Sequence, residues 1–267
     1  MGDVQRQDLT IFNDQSALSR ELFNGNAHNV ILLTSTSSTQ PFWLINALIE
    51  TAVYGSPYSV NLSSPPSSSQ LQQINTTASL TIGSFVHESQ FYVNAFQKLK
   101  INANSYKILD FLTDFLMNHI INKPKLKIFQ SLLELFPNDS TSTIILEQPE
   151  LLFSLVDGLT SDELNELFIK PLAKRCGLLI ITTSVDLYQK DYSMTKDVTE
   201  FMRFINSCFH ISIAVLSLQP LETGRAKDIT GSLKITRGGA TSNHLSTHVV
   251  ENEYLYLNEK DSTKLFY

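Results

Sequence analysis

Three short apolar runs constrain this chain more than any other feature: Val30-Ile31-Leu32-Leu33, Ile144-Ile145-Leu146 and Leu178-Leu179-Ile180-Ile181. None has a polar face. A run of this kind is a strand covered on both sides, as strands of parallel sheets are. Between the runs, apolar residues recur at helical spacing: Trp43, Leu44, Ala47, Leu48 and Ala52, then Phe91, Ala95, Phe96 and Leu99. Phe115 to Ile121 and Leu126 to Phe136 also read as helical, broken at Pro124, and Ser79 to His87 and Tyr106 to Leu112 read as further strands. Ser161 is the expected cap of a helix over 162–175, with acidic residues in its first turn, basic residues in its last and Gly177 as its stop. Strands alternating with helices predict right-handed crossovers and an α/β fold with a mainly parallel central sheet.

The last fifty or so residues change style. Ile211 to Leu218, Ser232 to Arg237 and His248 to Leu257 are strand-like, with glycine-rich turns and no helix between them. They predict antiparallel strands added to the parallel core. One domain over 1–267 is expected, with a mobile Ser/Pro-rich insertion at 55–77. No Asp, Glu, Lys or Arg occurs from Thr51 to His87, and a polar stretch of that composition cannot bury enough surface to fold alone.

Charge narrows the function. The net charge is -6, and both signs are spread along the chain. A global field that gathers nucleic acid or anionic lipid is excluded, although a local basic patch is not. Cys176 and Cys208 stand in apolar company and read as buried thiols, and no Cys-x-x-Cys pair suggests zinc. Residues 1–8 are polar, the apolar runs are too short to span a bilayer, and Gly2 lacks the hydroxyl residue at position 6 that myristoylation requires. The expectation is a soluble intracellular protein.

The first strand and helix invite a search for a phosphate cradle. A P-loop uses glycines to bend amides round the phosphates, a lysine for the β/γ oxygens and a hydroxyl for magnesium. Here the place is taken by Ser35-Thr36-Ser37-Ser38-Thr39-Gln40-Pro41-Phe42, with no glycine and no lysine. Ser37, Ser38 and Thr39 are hydroxyls at degenerate nucleotide-site positions. Glu147 ends a strand where an acid can hold magnesium or pair with a neighbour. Glu88 follows a strand where it can polarise a water or start a helix. There is no dinucleotide fingerprint and no nucleophile elbow. His244 and His248 lack a third ligand nearby in sequence, so no metal site is expected. The segment Gly224 to Gly239 holds Arg225, Lys227, Lys234 and Arg237 among four glycines. It reads either as a basic hairpin facing a polyanion or a neighbouring subunit, or as a solvated edge hairpin.

Several long blocks resemble the sixth-subunit family of the Elongator complex, of the budding-yeast type. They are Gly224 to Gly239, His248 to Lys260, Gln5 to Leu9, Gln40-Pro41 with Ile45 to Leu48, Leu109 to Leu112 and Glu147 to Leu152. The similarity covers nearly the whole chain and is weakest across the Ser-rich loop. It implies a RecA-like ATPase fold and a hetero-hexameric ring with the fourth and fifth subunits, joined to the other Elongator subunits. It further implies tRNA binding, support of wobble-uridine modification, and a cytoplasmic and nuclear location. Glu88 then stands at the water-activating position and Glu147 at the Walker B acid. The segment 186–197 stands at a pore loop, where Tyr188, Lys190, Tyr192 and Lys196 have the chemistry of RNA contact. Arg225, Lys227 and Arg237 become candidates for a subunit interface. Because the phosphate loop departs from the pattern, the expectation is a non-catalytic ring subunit without a cofactor of its own, ATP entering only in the assembled ring. The alternative is an ATP-hydrolysing subunit with a degenerate phosphate loop. A stand-alone nucleic-acid-binding module is disfavoured by the negative charge.

Overall fold

The apolar runs form the middle of the sheet, and their alternate residues serve two cores. In the computed structural model, which describes residues 7–23, 28–61, 79–113, 120, 123–186, 195–224, 226–240, 246–260 and 262–267, β1 (Asn29–Ser35) lies between β5 (Cys176–Ser184) and β6 (Ala214–Gln219), parallel to both. β2 (Leu80–Ser84), β3 (Tyr106–Asp110) and β4 (Asp139–Glu147) continue the parallel part. The antiparallel strands β7 (Gly231–Arg237), β8 (Asn252–Asn258) and β9 (Thr263–Phe266) extend the other side. The order across the sheet is β3-β2-β4-β5-β1-β6-β7-β8-β9. This is the expected α/β architecture, with two differences. Strand β6 belongs to the parallel set on one edge and meets antiparallel β7 on the other, and β9 is an additional strand.

Ile31, Leu33, Ile82, Ile145, Leu178 and Ile180 face one core with α1 (Phe42–Tyr54), α2 (Ser89–Lys98) and the N-terminal segment. Val30, Leu32, Ile144, Leu146, Leu179 and Ile181 face the other. That second core is closed by α3 (Lys125–Leu135), by the short α4 (Leu152–Leu155) and by α5 (Ser161–Leu164) and α6 (Lys170–Ala173), which are joined through a π-helical stretch. It is completed by α7 (Lys196–Ile211), whose stripe Phe201, Phe204, Ile205 and Cys208 is buried. Both cysteines are free and buried, as expected.

Local signals need correction at two points. The cap of α5 is Thr160, one residue before the expected Ser161; it forms a capping box with Glu163. Gly177 does not stop the helix but lies inside β5, where a Cβ would stand 2.6 Å from the Ser140 carbonyl oxygen. Its glycine serves close backbone approach in the sheet.

Residues 55–61 are tied down: the Ser59 amide and hydroxyl donate to Glu50, and Val60 bridges to Thr263. The rest of the expected insertion, 62–77, lies outside the described residues, as does most of the expected helix Phe115–Ile121. The N-terminal segment crosses the far end of the sheet. Phe12 bridges to Val249, the Val250 amide donates to Ile11, and the Gln7 amide donates to Leu265.

Candidate functional site at the carboxyl edge of the sheet

Parallel α/β sheets bind ligands beyond the carboxyl ends of their strands. Here that edge carries Ser35, Ser84, Asp110, Glu147 and Ser184, set side by side by register: Ser84 lies opposite both Asp110 and Glu147, and Ser35 opposite Ser184.

After β1 the chain makes a tight turn closed by its own hydroxyls. The Thr39 amide donates to the Thr36 carbonyl at 3.0 Å, and the Thr36 and Thr39 hydroxyls lie 2.8 Å apart. The Thr39 hydroxyl also reaches the Leu218 carbonyl at 3.1 Å, and Ser38 meets Thr36 at 2.9 Å. The Ser37 amide, the type of group a phosphate uses, donates to the carboxylate of Asp186 at 2.9 Å. Ser37 and Ser38 are exposed and Thr39 is buried. The helix that follows opens at Pro41, with no side-chain cap.

Glu147 is 2% exposed at the end of β4. Its carboxylate accepts from Ser84 Oγ at 2.5 Å and Tyr92 Oη at 2.7 Å, with His87 Nδ1 at 3.0 Å. A carboxylate only accepts, so the His87 proton here belongs on Nδ1. Burial, then the neighbouring Glu147 charge, drives the Tyr92 phenol far above its ordinary pKa, keeping it a donor. The His87 ring stacks on Phe91 at 3.9 Å. Glu88 is exposed at the N-cap of α2, its carbonyl accepting from the Phe91 amide.

Glu150, three residues on, has a different setting. One oxygen accepts from the Ser184 amide at 3.0 Å; the other is buried. Burial raises its carboxyl to about 7 against hydrogen bonds from the Ser184 amide, its own amide and the Thr183 hydroxyl, with the Glu147 charge adding to the rise.

The sequence-named residues fall into three groups. Ser37, Ser38, Thr39, Glu88 and Glu147 come to one edge. Lys196 is exposed at the start of α7, while Tyr188, Lys190 and Tyr192 lie outside the described residues. Lys227 is exposed; Arg237 is exposed at the end of β7, its Nε donating to the Val249 carbonyl at 3.4 Å; Arg225 lies outside the described residues. Sequence reasoning missed Ser84, His87, Tyr92, Glu150 and Asp186. Tyr92 was recoverable, since it lies on the inner stripe of a helix opening beside a strand-end acid. Among the described residues no cluster of His, Cys, Asp and Glu has the makings of a metal site, and no helix is long and apolar enough to cross a membrane.

Next to the closed turn is a cavity between the start of α1, the outer face of α2 and the β8–β9 turn. Phe42, Trp43, Asn46, Phe91, Lys98 and Lys260 are among its lining residues.

This architecture matches a solved structure, the flagellar accessory protein FlaH from Methanocaldococcus jannaschii, with a TM-score of 0.50 and 13% identity over 94% of this chain and 97% of that one. The fold is RecA-like: a mainly parallel sheet with antiparallel strands at its C-terminal end. No protein-family model matches the chain. Elongator complex protein 6 of Saccharomyces cerevisiae is 50% identical over 276 residues, end to end in both chains. The chain belongs to the Elongator complex protein 6 family.

Proposed function

We propose that the chain is a non-catalytic structural subunit of the Elongator complex. It stands in a hetero-hexameric RecA-like ring with the fourth and fifth subunits, in a complex that binds tRNA and supports wobble-uridine modification in cytoplasm and nucleus. The end-to-end 50% identity supports its place in that complex. The observation that carries the non-catalytic part is the closed turn Thr36–Thr39. It offers no lysine, and its exposed Ser37 amide already holds the Asp186 carboxylate. A phosphate would have to displace a like charge there. The Glu147 carboxylate, with three donors on it, likewise has little left for a hydrated magnesium ion.

The test is co-expression with the fourth and fifth subunits of the same complex, read by native mass. A mixed hexamer is expected, binding tRNA with an affinity that falls with salt. Lys190→Ala with Lys196→Ala should weaken that binding and flatten its salt dependence, since each lost phosphate contact removes about 0.7–0.9 from the slope. The isolated chain should show no magnesium-dependent ATP turnover. Turnover by the wild-type chain, lost in Glu147→Gln, overturns the non-catalytic reading in favour of an ATP-hydrolysing subunit. Absence of a mixed assembly overturns the ring.

A further inference from the structure

The cavity beside the closed turn carries chemistry that the fold leaves unused. Its volume is about 430 Å³, in the range of sites that enclose a ligand, roughly 300–1,000 Å³. Phe42 and Phe91 give it an apolar wall, their rings 4.5 Å apart. Trp43, 9% exposed, presents its indole to the same space. Its Nε1 is buried towards Tyr256, and Asn46 Oδ1 is buried beneath the wall. The indole lies against Tyr256, with ring centroids 5.0 Å apart, and its hydrogen bond to the Tyr256 hydroxyl offsets part of the rise that burial imposes on that phenol. At the mouth stand Lys98 and Lys260, both exposed and neither in an ion pair among the described residues. Glu259 is close by, but it already accepts from Lys264 and Ser262.

We propose that this cavity receives an extended peptide segment of a neighbouring subunit, carrying one apolar side chain with an Asp or Glu beside it. The inference rests on the ring reading given above. The apolar side chain fills the space against Phe42 and Phe91, and the carboxylate answers Lys98 and Lys260. Central anchors in pockets, with charge at the rim, are how a few side chains carry most of the binding in protein interfaces. A free nucleotide fits this chemistry less well, because its phosphates would approach the adjoining turn where Asp186 covers the Ser37 amide.

Trp43 is the sole tryptophan of the chain, so 5-fluorotryptophan places one fluorine at the cavity wall. The labelled chain is mixed with unlabelled fourth and fifth subunits and followed by fluorine NMR and native mass together. The expected result is a mixed assembly whose fluorine resonance has moved. Lys98→Glu with Lys260→Glu should raise the dissociation constant for the partners at least tenfold while leaving the melting temperature of the isolated chain unchanged. Assembly with an unmoved resonance, or a double variant that assembles with wild-type affinity, overturns the inference and leaves the ring intact. A resonance that moves as far with ATP or AMP alone assigns the cavity to a nucleotide and overturns it as well. Failure of the wild-type mixture to assemble overturns the ring reading and the inference together.

Discussion

Glu147 and Glu150 are three residues apart, both are buried, and their surroundings treat them in opposite ways. Glu147 collects a serine hydroxyl, a tyrosine hydroxyl and a histidine N–H. Glu150 has the Ser184 amide as its main donor, with lesser help from its own amide and the Thr183 hydroxyl. The contrast teaches that burial alone does not decide whether a carboxyl keeps its charge. What decides is the strength of the donors the fold delivers to it. Two strands contribute: β2, the turn after it and the first turn of α2 deliver three side-chain donors to Glu147, while the end of β5 delivers mainly the Ser184 amide to Glu150.

The largest expected effect comes from removing the well-served acid. Glu147→Ala strands the Ser84 and Tyr92 hydroxyls in the core, and should cost about 3–5 kcal/mol of unfolding free energy. Urea denaturation measures it; a loss below about 1 kcal/mol would mean that the three contacts contribute little. The next effect has the other sign. Folding raises the Glu150 carboxyl from the ordinary 4.5 to about 7, so the folded chain holds that proton more tightly than the unfolded chain does. Its contribution is fully present below about pH 4.5 and is lost as pH rises through about 7. Glu150→Gln keeps the acceptor for Ser184 and cannot ionise. It should be nearly neutral at pH 4.5 and stabilise the chain by up to about 3 kcal/mol at pH 8. Melting curves at the two pH values check this, and parallel shifts at both would break the comparison.

A finer cut is Tyr92→Phe, which takes one donor from Glu147 and leaves two. A hydrogen bond to a charged group is worth about 1.5–3 kcal/mol, so the loss should fall in that range and remain below that of Glu147→Ala in the same denaturation series. The smallest effect belongs to the turn after β1. Asp186→Asn keeps an acceptor for the exposed Ser37 amide and should change stability by less than about 1 kcal/mol. It should also create no ATP turnover, since the turn still lacks lysine and glycine; a phosphate-release assay on the variant decides this.

The parallel core was legible because Val30–Leu33, Ile144–Leu146 and Leu178–Ile181 can be nothing but two-sided strands in a chain that also carries helical stripes. Helix α7 was missed although Phe201, Phe204, Ile205 and Cys208 have the right spacing. Only Ser212 separates that helix from the next apolar run, so no glycine or proline announces a boundary. Strand β9, four residues of mixed character, is too short to show a pattern. Gly177 was misread because a glycine after a basic turn looks the same whether it ends a helix or admits a neighbouring backbone. At the site, Glu147 stood out as a strand-end acid. Its donors Ser84 and His87 did not, because they meet it only through the register of β2 against β4.

The crossing of the N-terminal segment over Val249, Val250 and Leu265 bears on how the chain is made. During synthesis residues 7–12 leave the ribosome before residues 249–265 are made, and β1 waits for β5 and β6 in the same way. The segment 7–12 therefore has no native place to go until residues 249–265 are translated. Such distant pairings are closed late and slowly. A chain stopped before residue 249 would leave the segment 7–12 without the backbone partners that hold it to the sheet.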